Sequence, residues 1–348
     1  MFATRRSRSV LATFAFAVVV ATSACSSSAS QRPTIPPDAT GSVGPAASAT
    51  PSVGASFPLT LTDDEGTAVE LPKPPEKVVS LTPATTEILF KIGAGDRVVG
   101  KVEDIANFPP EASDVPVVGT FNGVDVEKIV GLDADLVIAG GNEGTPSETI
   151  DQLRDLEIPV LVVYAKDLDG AFHDIELTGQ AVGEASAAAD LVAAMRAEFD
   201  QVAAATAGVE KPRVFYETGD QPSIFGIADD SVYAEMIGLA GGDPVTTGSP
   251  TNWEMSAEKL VEADPELIIL GDSAYGVTEE AVAKRPGWAG ITAVKRGAIT
   301  GIDDIVVTRP GPRLAEGLRL LVDAIHPELG LGPSAAASPA ASASAPGG

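Results

Sequence analysis

The chain is poor in the residues that most often carry chemistry. Of its 348 residues, one is cysteine and two are histidine. A single thiol, Cys25, excludes an intrachain disulfide. Two distant imidazoles, His173 and His326, exclude Cys/His zinc clusters and the HExxH metalloprotease arrangement. Positive charge is scarce as well: 23 Lys+Arg against 49 Asp+Glu gives a formal net charge of -26. Nucleic acid is therefore not an expected partner, because phosphate binding draws on clustered cations and released counterions. There is no Walker A loop and no GxSxG elbow, and Gly93-Ala94-Gly95 lacks a third glycine in register. Carboxylates are plentiful, but an acid–base pair needs convergent geometry that abundance does not supply. These absences point away from an enzyme, and no resident metal or cofactor is expected.

A hydrophobic run long enough to span a bilayer is missing too. The longest one near the start, Val10 to Ala21, is too short, and it follows Arg5, Arg6 and Arg8 and leads through small residues to Cys25. Residues 1–24 thus read as an export signal. Thr22-Ser23-Ala24-Cys25 resembles the bacterial lipobox, with Thr22 where that motif prefers Leu, and the resemblance implies lipidation of Cys25 and an extracytoplasmic, membrane-anchored protein. The alternative is an ordinary secretory signal with a stray thiol. Residues 25–56 and 331–348 are rich in Ser, Ala and Pro, and cannot bury enough apolar surface to offset chain entropy. The first is expected to be a disordered tether spanning roughly 30 Å, the second a disordered tail.

Between them lies an α/β pattern. Phe57 to Leu71 alternates around Asp63-Asp64-Glu65-Gly66, a hairpin signal. Short apolar runs separated by helical patterns follow at 78–81, 98–99, 136–139, 160–163, 214–216, 267–270 and 298–302, which argues for doubly wound parallel sheets. Residues 168–207 carry no strand signal; Leu191, Met195, Phe199 and Val202 fall at helical spacing, so a long helix is expected between an amino-terminal lobe (57–167) and a carboxy-terminal lobe (208–330). The two halves repeat each other. Val124 to Gly140 aligns without gaps on Met255 to Gly271, each reading as a capped helix, a turn and a buried strand, and Ile92-Gly93-Ala94-Gly95-Asp96 matches Leu239-Ala240-Gly241-Gly242-Asp243. The expected architecture is two Rossmann-like lobes joined by a single long α-helix, with a ligand cleft between them.

Val78-Val79-Ser80-Leu81-Thr82-Pro83-Ala84-Thr85-Thr86-Glu87, Val126-Glu127-Lys128-Ile129-Val130, Asp135-Leu136-Val137-Ile138 and Arg309-Pro310-Gly311-Pro312-Arg313-Leu314 resemble the helical-backbone substrate-binding proteins of ABC importers for ferric siderophores, cobalamin and haem. The resemblance covers about residues 77–330. It implies a monomer that captures a metal chelate and delivers it to a dimeric ABC permease. Phe121 and Trp253 match aromatics that the cobalamin receptors place against the corrin; the alternative reading is that both are ordinary core aromatics. Arg309 matches a ligand-facing arginine, whereas Arg313 is expected to pack or pair structurally. Ile105 and Gly140 occupy other aromatic positions of that cage, which puts a ferric siderophore ahead of cobalamin and haem third. Glu127 and Glu258 match the glutamates that pair with permease arginines; the plainer reading is that they complement helix dipoles.

Other assignments come from the residues themselves. Thr82 and Pro83 open a helix whose free N–H groups either face a ligand or are simply capped. Tyr216, Glu217, Phe225 and Asp272 follow second-lobe strands and are candidates for the same cleft. Tyr216 and His173 are the side chains that could hold haem iron, with His173 expected on the exposed face of the linker helix.

Overall fold

The computed structural model describes residues 56–120, 122–141 and 144–331. The readings made on the signal, Cys25, Phe121 and nearly all of the tether and tail lie outside these residues. The described chain opens with a hairpin of β1 (Leu59–Thr62) and β2 (Ala68–Leu71). Its turn forms because Asp63 Oδ1 accepts the N–H groups of Glu65 and Thr67 at 3.1 and 2.7 Å.

The first lobe is one sheet of β3 (Val78–Ser80), β4 (Val98–Val102), β5 (Val117–Thr120), β6 (Gly123–Val124), β7 (Leu136–Gly140) and β8 (Val160–Val163), in the order β6-β5-β4-β3-β7-β8. Its pairings are parallel except β5 with β6. The apolar runs serve two faces at once. Val78, Leu136, Ile138 and Leu161 enter one core, and Val79, Val137, Val160 and Val162 enter another, as period-two side chains must. The second core lies under α2 (Val126–Gly131) and α3 (Ser147–Asp155), while α1 (Pro83–Lys91) covers the first.

The mid-chain helical segment is divided. α4 (Leu168–Val182) stops at Gly183, whose φ of 78° is left-handed, and α5 (Ala185–Thr206) starts after it. The 22 residues of α5 reach about 33 Å and form the bridge between lobes. At its start Arg97 of the first lobe pairs with Glu184 at 2.6 Å; at its end Thr206 Oγ1 donates to the Leu239 carbonyl of the second lobe at 2.7 Å.

The second lobe pairs β9 (Arg213–Glu217), β10 (Asp243–Pro244), β11 (Leu267–Leu270) and β12 (Ile299–Gly301) in the order β10-β9-β11-β12, all parallel. Its helices are α6 (Val232–Leu239), α7 (Ala257–Ala263), α8 (Glu279–Ala283), α9 (Thr292–Arg296), α10 (Asp304–Thr308) and α11 (Leu314–Ile325). One core runs through both lobes: Val78 and Leu89, then Ile175 and Val192, then Val214, Leu318 and Leu321 belong to the same buried cluster. The lobes are thus packed on a shared layer of helices.

The internal repeat holds in three dimensions. Asp125 and Ser256 cap α2 and α7 by accepting the N–H groups of Lys128 and Lys259 at 3.0 and 3.1 Å. Asp133 and Asp264, equivalent by alignment, both have positive φ, at 53° and 47°. The other match needs a shift of one residue. α1 and α6 both end in a left-handed glycine, Gly93 (φ 87°) and Gly241 (φ 85°), so Gly93 corresponds to Gly241 and not to Ala240. The next N–H in each case closes the same turn, Ala94 to the Leu89 carbonyl and Gly242 to that of Ile237.

Candidate functional site

A cavity of about 530 Å³ lies where the strand ends of the first lobe face the second lobe. Two equivalent helices point their N-termini into it. Thr82 caps α1, its Oγ1 accepting the Thr85 N–H at 3.0 Å, and Ser231 caps α6, its Oγ accepting the Ala234 N–H at 3.4 Å. Thr82, Pro83 and Thr85 on one side and Ser231, Val232 and Tyr233 on the other all border the space. Such termini carry unpaired N–H groups and about half a positive charge each.

The wall between them is kept low by glycine. A Cβ on Gly140 would stand 2.8 Å from Thr82 Cγ2, so no larger residue fits beside the cap of α1. Aromatic surface comes from Tyr164, which follows β8, and from Trp253 and Tyr233. The last two rings meet edge to face, 5.5 Å between centroids, and the Tyr233 hydroxyl donates to the Thr308 carbonyl at 2.9 Å. Lys166 stands exposed at the rim, and Asp174 of α4 forms part of the floor. Asp174 is buried, and desolvation followed by its bond to Asp64 and that group's charge pushes its carboxyl up to about 9.

Arg309 also borders the cavity, but its guanidinium is engaged elsewhere. Nη1 donates to Glu87 Oε1 at 2.5 Å and to Asp104 Oδ2 at 3.1 Å, and Nη2 to Asp104 Oδ1 at 2.8 Å. Arg313 donates twice more to Glu87, at 2.9 and 2.8 Å, and lies 4.0 Å over the Phe108 ring. Glu87 and Asp104 come from the first lobe, the arginines from the segment joining α10 to α11 in the second. The four form a latch across the two lobes, its carboxylates buried and its guanidinium groups half-buried.

Of the residues singled out from sequence, Thr82, Pro83, Trp253 and Arg309 are brought together on the cavity wall. Four others lie within the second lobe and are not part of that wall. Tyr216 is fully buried, and its hydroxyl donates to Asp304 Oδ1 at 2.8 Å. Glu217 is held by Arg285 at 2.5 and 2.7 Å. Asp272 is buried near it; desolvation and the Glu217 charge push its carboxyl up to about 7. Phe225 is half-buried, its backbone bridging Gly219 and Glu254. His173 sits exposed on α4, 3.8 Å from Asp64. Glu127 and Glu258 are both exposed in the first turns of α2 and α7.

Sequence reasoning missed Tyr164, Lys166, Asp174 and Tyr233. Only Asp174 left a signal: it breaks the buried stripe of α4 formed by Ala171, Ile175, Thr178 and Val182. Among the described residues, no group of three or more His, Cys, Asp or Glu could hold a metal ion, and no helix is long and apolar enough to cross a membrane.

Comparison with known proteins adds to this geometry. The sequence profile of a family described as periplasmic binding protein matches residues 78–306. An ABC transporter substrate-binding lipoprotein of Bacillus subtilis is 36% identical over 278 residues, covering 78% of this chain and 87% of the relative. A cobalamin-binding protein of Halobacterium salinarum is 30% identical over 282 residues, covering 78% and 75%. Among solved structures, a periplasmic heme-binding protein of Roseiflexus superposes with a TM-score of 0.62 at 26% identity, over 72% of this chain and 99% of that one. A possible iron-binding periplasmic protein of Staphylococcus epidermidis gives 0.64 at 25%, over 73% and 100%.

Proposed function

Because the chain belongs to the periplasmic binding protein family of ABC importers, we propose that its cleft captures a neutral or weakly anionic metal chelate, a corrinoid ahead of a ferric hydroxamate. The observation that carries this reading is the charge balance of the cavity. Among the described residues its cationic side chains are Lys166 and Arg309, and Arg309 is neutralised by Glu87 and Asp104. Asp174 keeps its proton at neutral pH. What remains is one rim cation and two helix N-termini, a poor match for a trianionic ferric catecholate. Haem ranks lower because Tyr216 and His173, the iron ligands read from sequence, stand off the cavity wall; the phenols that do border it are Tyr164 and Tyr233, and the Tyr233 hydroxyl already donates to the Thr308 carbonyl. Trp253, with Tyr233 packed edge to face against it, supplies aromatic surface for an apolar ring system, and the helix N–H groups suit carbonyl and amide oxygens. The relatives named for cobalamin favour the corrinoid over the siderophore that the incomplete aromatic cage first suggested.

Delivery follows the same reading. Exposed Glu127 and Glu258 occupy equivalent first turns, one per lobe, and suit two basic sites on a two-fold permease. Lipidation of Cys25 would hold the body at the membrane, several acyl chains giving a stable anchor. Calorimetric titration of the purified full-length protein with cyanocobalamin, ferrioxamine, a ferric tricatecholate and haem tests the proposal. Saturable binding of one of the first two is expected. Binding only of the tricatecholate or haem would overturn the charge argument, and binding of none would overturn the chelate assignment.

A further inference from the structure

The two lobes repeat an exposed feature as well as their buried ones. With Val124–Gly140 matched on Met255–Gly271, Val130 of α2 corresponds to Val261 of α7. Both valines are exposed, at 44% and 39%, and each follows the residue that packs its helix, Ile129 or Leu260, which is fully buried. The fold therefore gains nothing from valine at either place, and a polar side chain would suit water better. Three residues before each valine stands Glu127 or Glu258, the spacing at which side chains of a helix lie side by side. Neither glutamate has an ion pair or side-chain hydrogen bond among the described residues. The lysine that follows each glutamate is drawn back onto its own lobe: Lys128 lies 3.5 Å from Asp125, and Lys259 donates to the Thr247 carbonyl.

What is left free at each of these places is one carboxylate beside one apolar side chain. We propose that Val130 and Val261 are contact residues of a docking surface, each seated in an apolar socket that flanks a basic side chain of the partner, and that the partner is a two-fold membrane protein offering this basic and apolar combination twice. This rests on the reading of Glu127 and Glu258 as permease contacts and adds the apolar half of each contact. A partner without two-fold repetition would match only one of the two pairs. An anionic lipid surface does not fit, since it would repel both glutamates and a chain of net charge -26. Exposed ion pairs are individually weak, so the ionic half serves encounter and orientation, while the apolar half, once covered, holds the complex together.

Uptake by whole cells tests the surface, with the full-length protein as the only copy and radiolabelled cyanocobalamin and ferrioxamine as probes. Val130→Ser with Val261→Ser should lower uptake about tenfold, while chelate affinity in solution and thermal unfolding stay at wild-type values, since both side chains face water. Val130→Ile with Val261→Ile keeps the apolar contact and should transport within about threefold of wild type. Wild-type uptake by the serine pair, in cells where Glu127→Arg with Glu258→Arg abolishes it, overturns this proposal and leaves the permease reading intact. So does a serine pair whose chelate affinity or unfolding temperature falls together with its uptake. Normal uptake by both double mutants, or none by the wild type, removes the permease reading and this proposal with it. A purified protein that is a dimer, and that the serine pair turns into a monomer, would assign the valines to self-association and likewise overturn the proposal.

Discussion

Replacing Arg309 by alanine should destabilise the protein far more than loss of a surface charge. Three charge-assisted hydrogen bonds disappear, one to Glu87 and two to Asp104, whose side chains are only 2% and 3% exposed. Glu87 keeps both bonds from Arg313, but Asp104 retains only the N–H groups of Ala106 and Phe108, at 3.0 and 3.2 Å. Removing one partner of a buried ion pair typically costs about 3–5 kcal/mol, and the surviving bonds place this case near the lower end, about 3 kcal/mol. Urea unfolding at pH 7 measures it, and 1 M salt should change the loss little, since buried pairs are weakly screened. The acid side gives a second readout. Burial pushes the Asp104 carboxyl up, but the hydrogen bonds and charge of Arg309, with the two backbone N–H groups, outweigh it and hold it below its ordinary 3.8. That contribution is present above the unfolded value and is lost as pH falls through the folded one. In Arg309→Ala the acid loss should begin at higher pH. A cost under about 1 kcal/mol, the range of exposed pairs, would refute the latch as a stabilising element.

Asp174 acts in the opposite sense. Its folded value of about 9 lies above its ordinary 3.8, so folding takes up a proton; the stability it contributes is fully present below pH 4 and is lost as pH rises toward 9. Asp174→Asn should flatten the decline of the urea midpoint between pH 5 and 9, and an unchanged slope would contradict the assignment. For docking, Glu127→Arg with Glu258→Arg should abolish uptake by whole cells while leaving ligand affinity and thermal unfolding close to wild type; normal uptake would reduce both residues to helix-end charges. For anchoring, Cys25→Ala should move the protein from the membrane fraction to the medium or leave it uncleaved, and identical fractionation of mutant and wild type would refute lipidation.

Much of the architecture was legible because it is local or periodic. The two-faced strands, the Asp63 turn and the capped helices α2 and α7 are written in runs of a few residues each, and the repeat between lobes doubled every signal. Two local details escaped. The left-handed stop at Gly183 divides a segment that reads as continuous Ala-rich helix, and a gapless match could not show that Gly93 pairs with Gly241. The site was less legible, since its partners meet only through the fold. Arg309 finds Glu87 across 222 positions, and nothing near Arg309 in sequence says that its charge is already taken. Tyr216, Glu217 and Asp272 stand at strand ends as cleft residues do, yet burial and the partners Asp304 and Arg285 turn them into the interior of the second lobe. Phe225 gave no signal that could separate a cleft wall from a loop.

On this reading a metal chelate sits between the α1 and α6 N-termini against Trp253. A crystal structure of the protein with cyanocobalamin, or with ferrioxamine if that is the one that titrates, tests it most directly. Ligand density is expected in this cavity, with the ring system against Trp253 and ligand oxygens at the α1 and α6 N-termini. A chelate bound outside this cavity, or one whose contacts are made by Tyr216, Glu217 and Asp272 after the second lobe has opened, would contradict it.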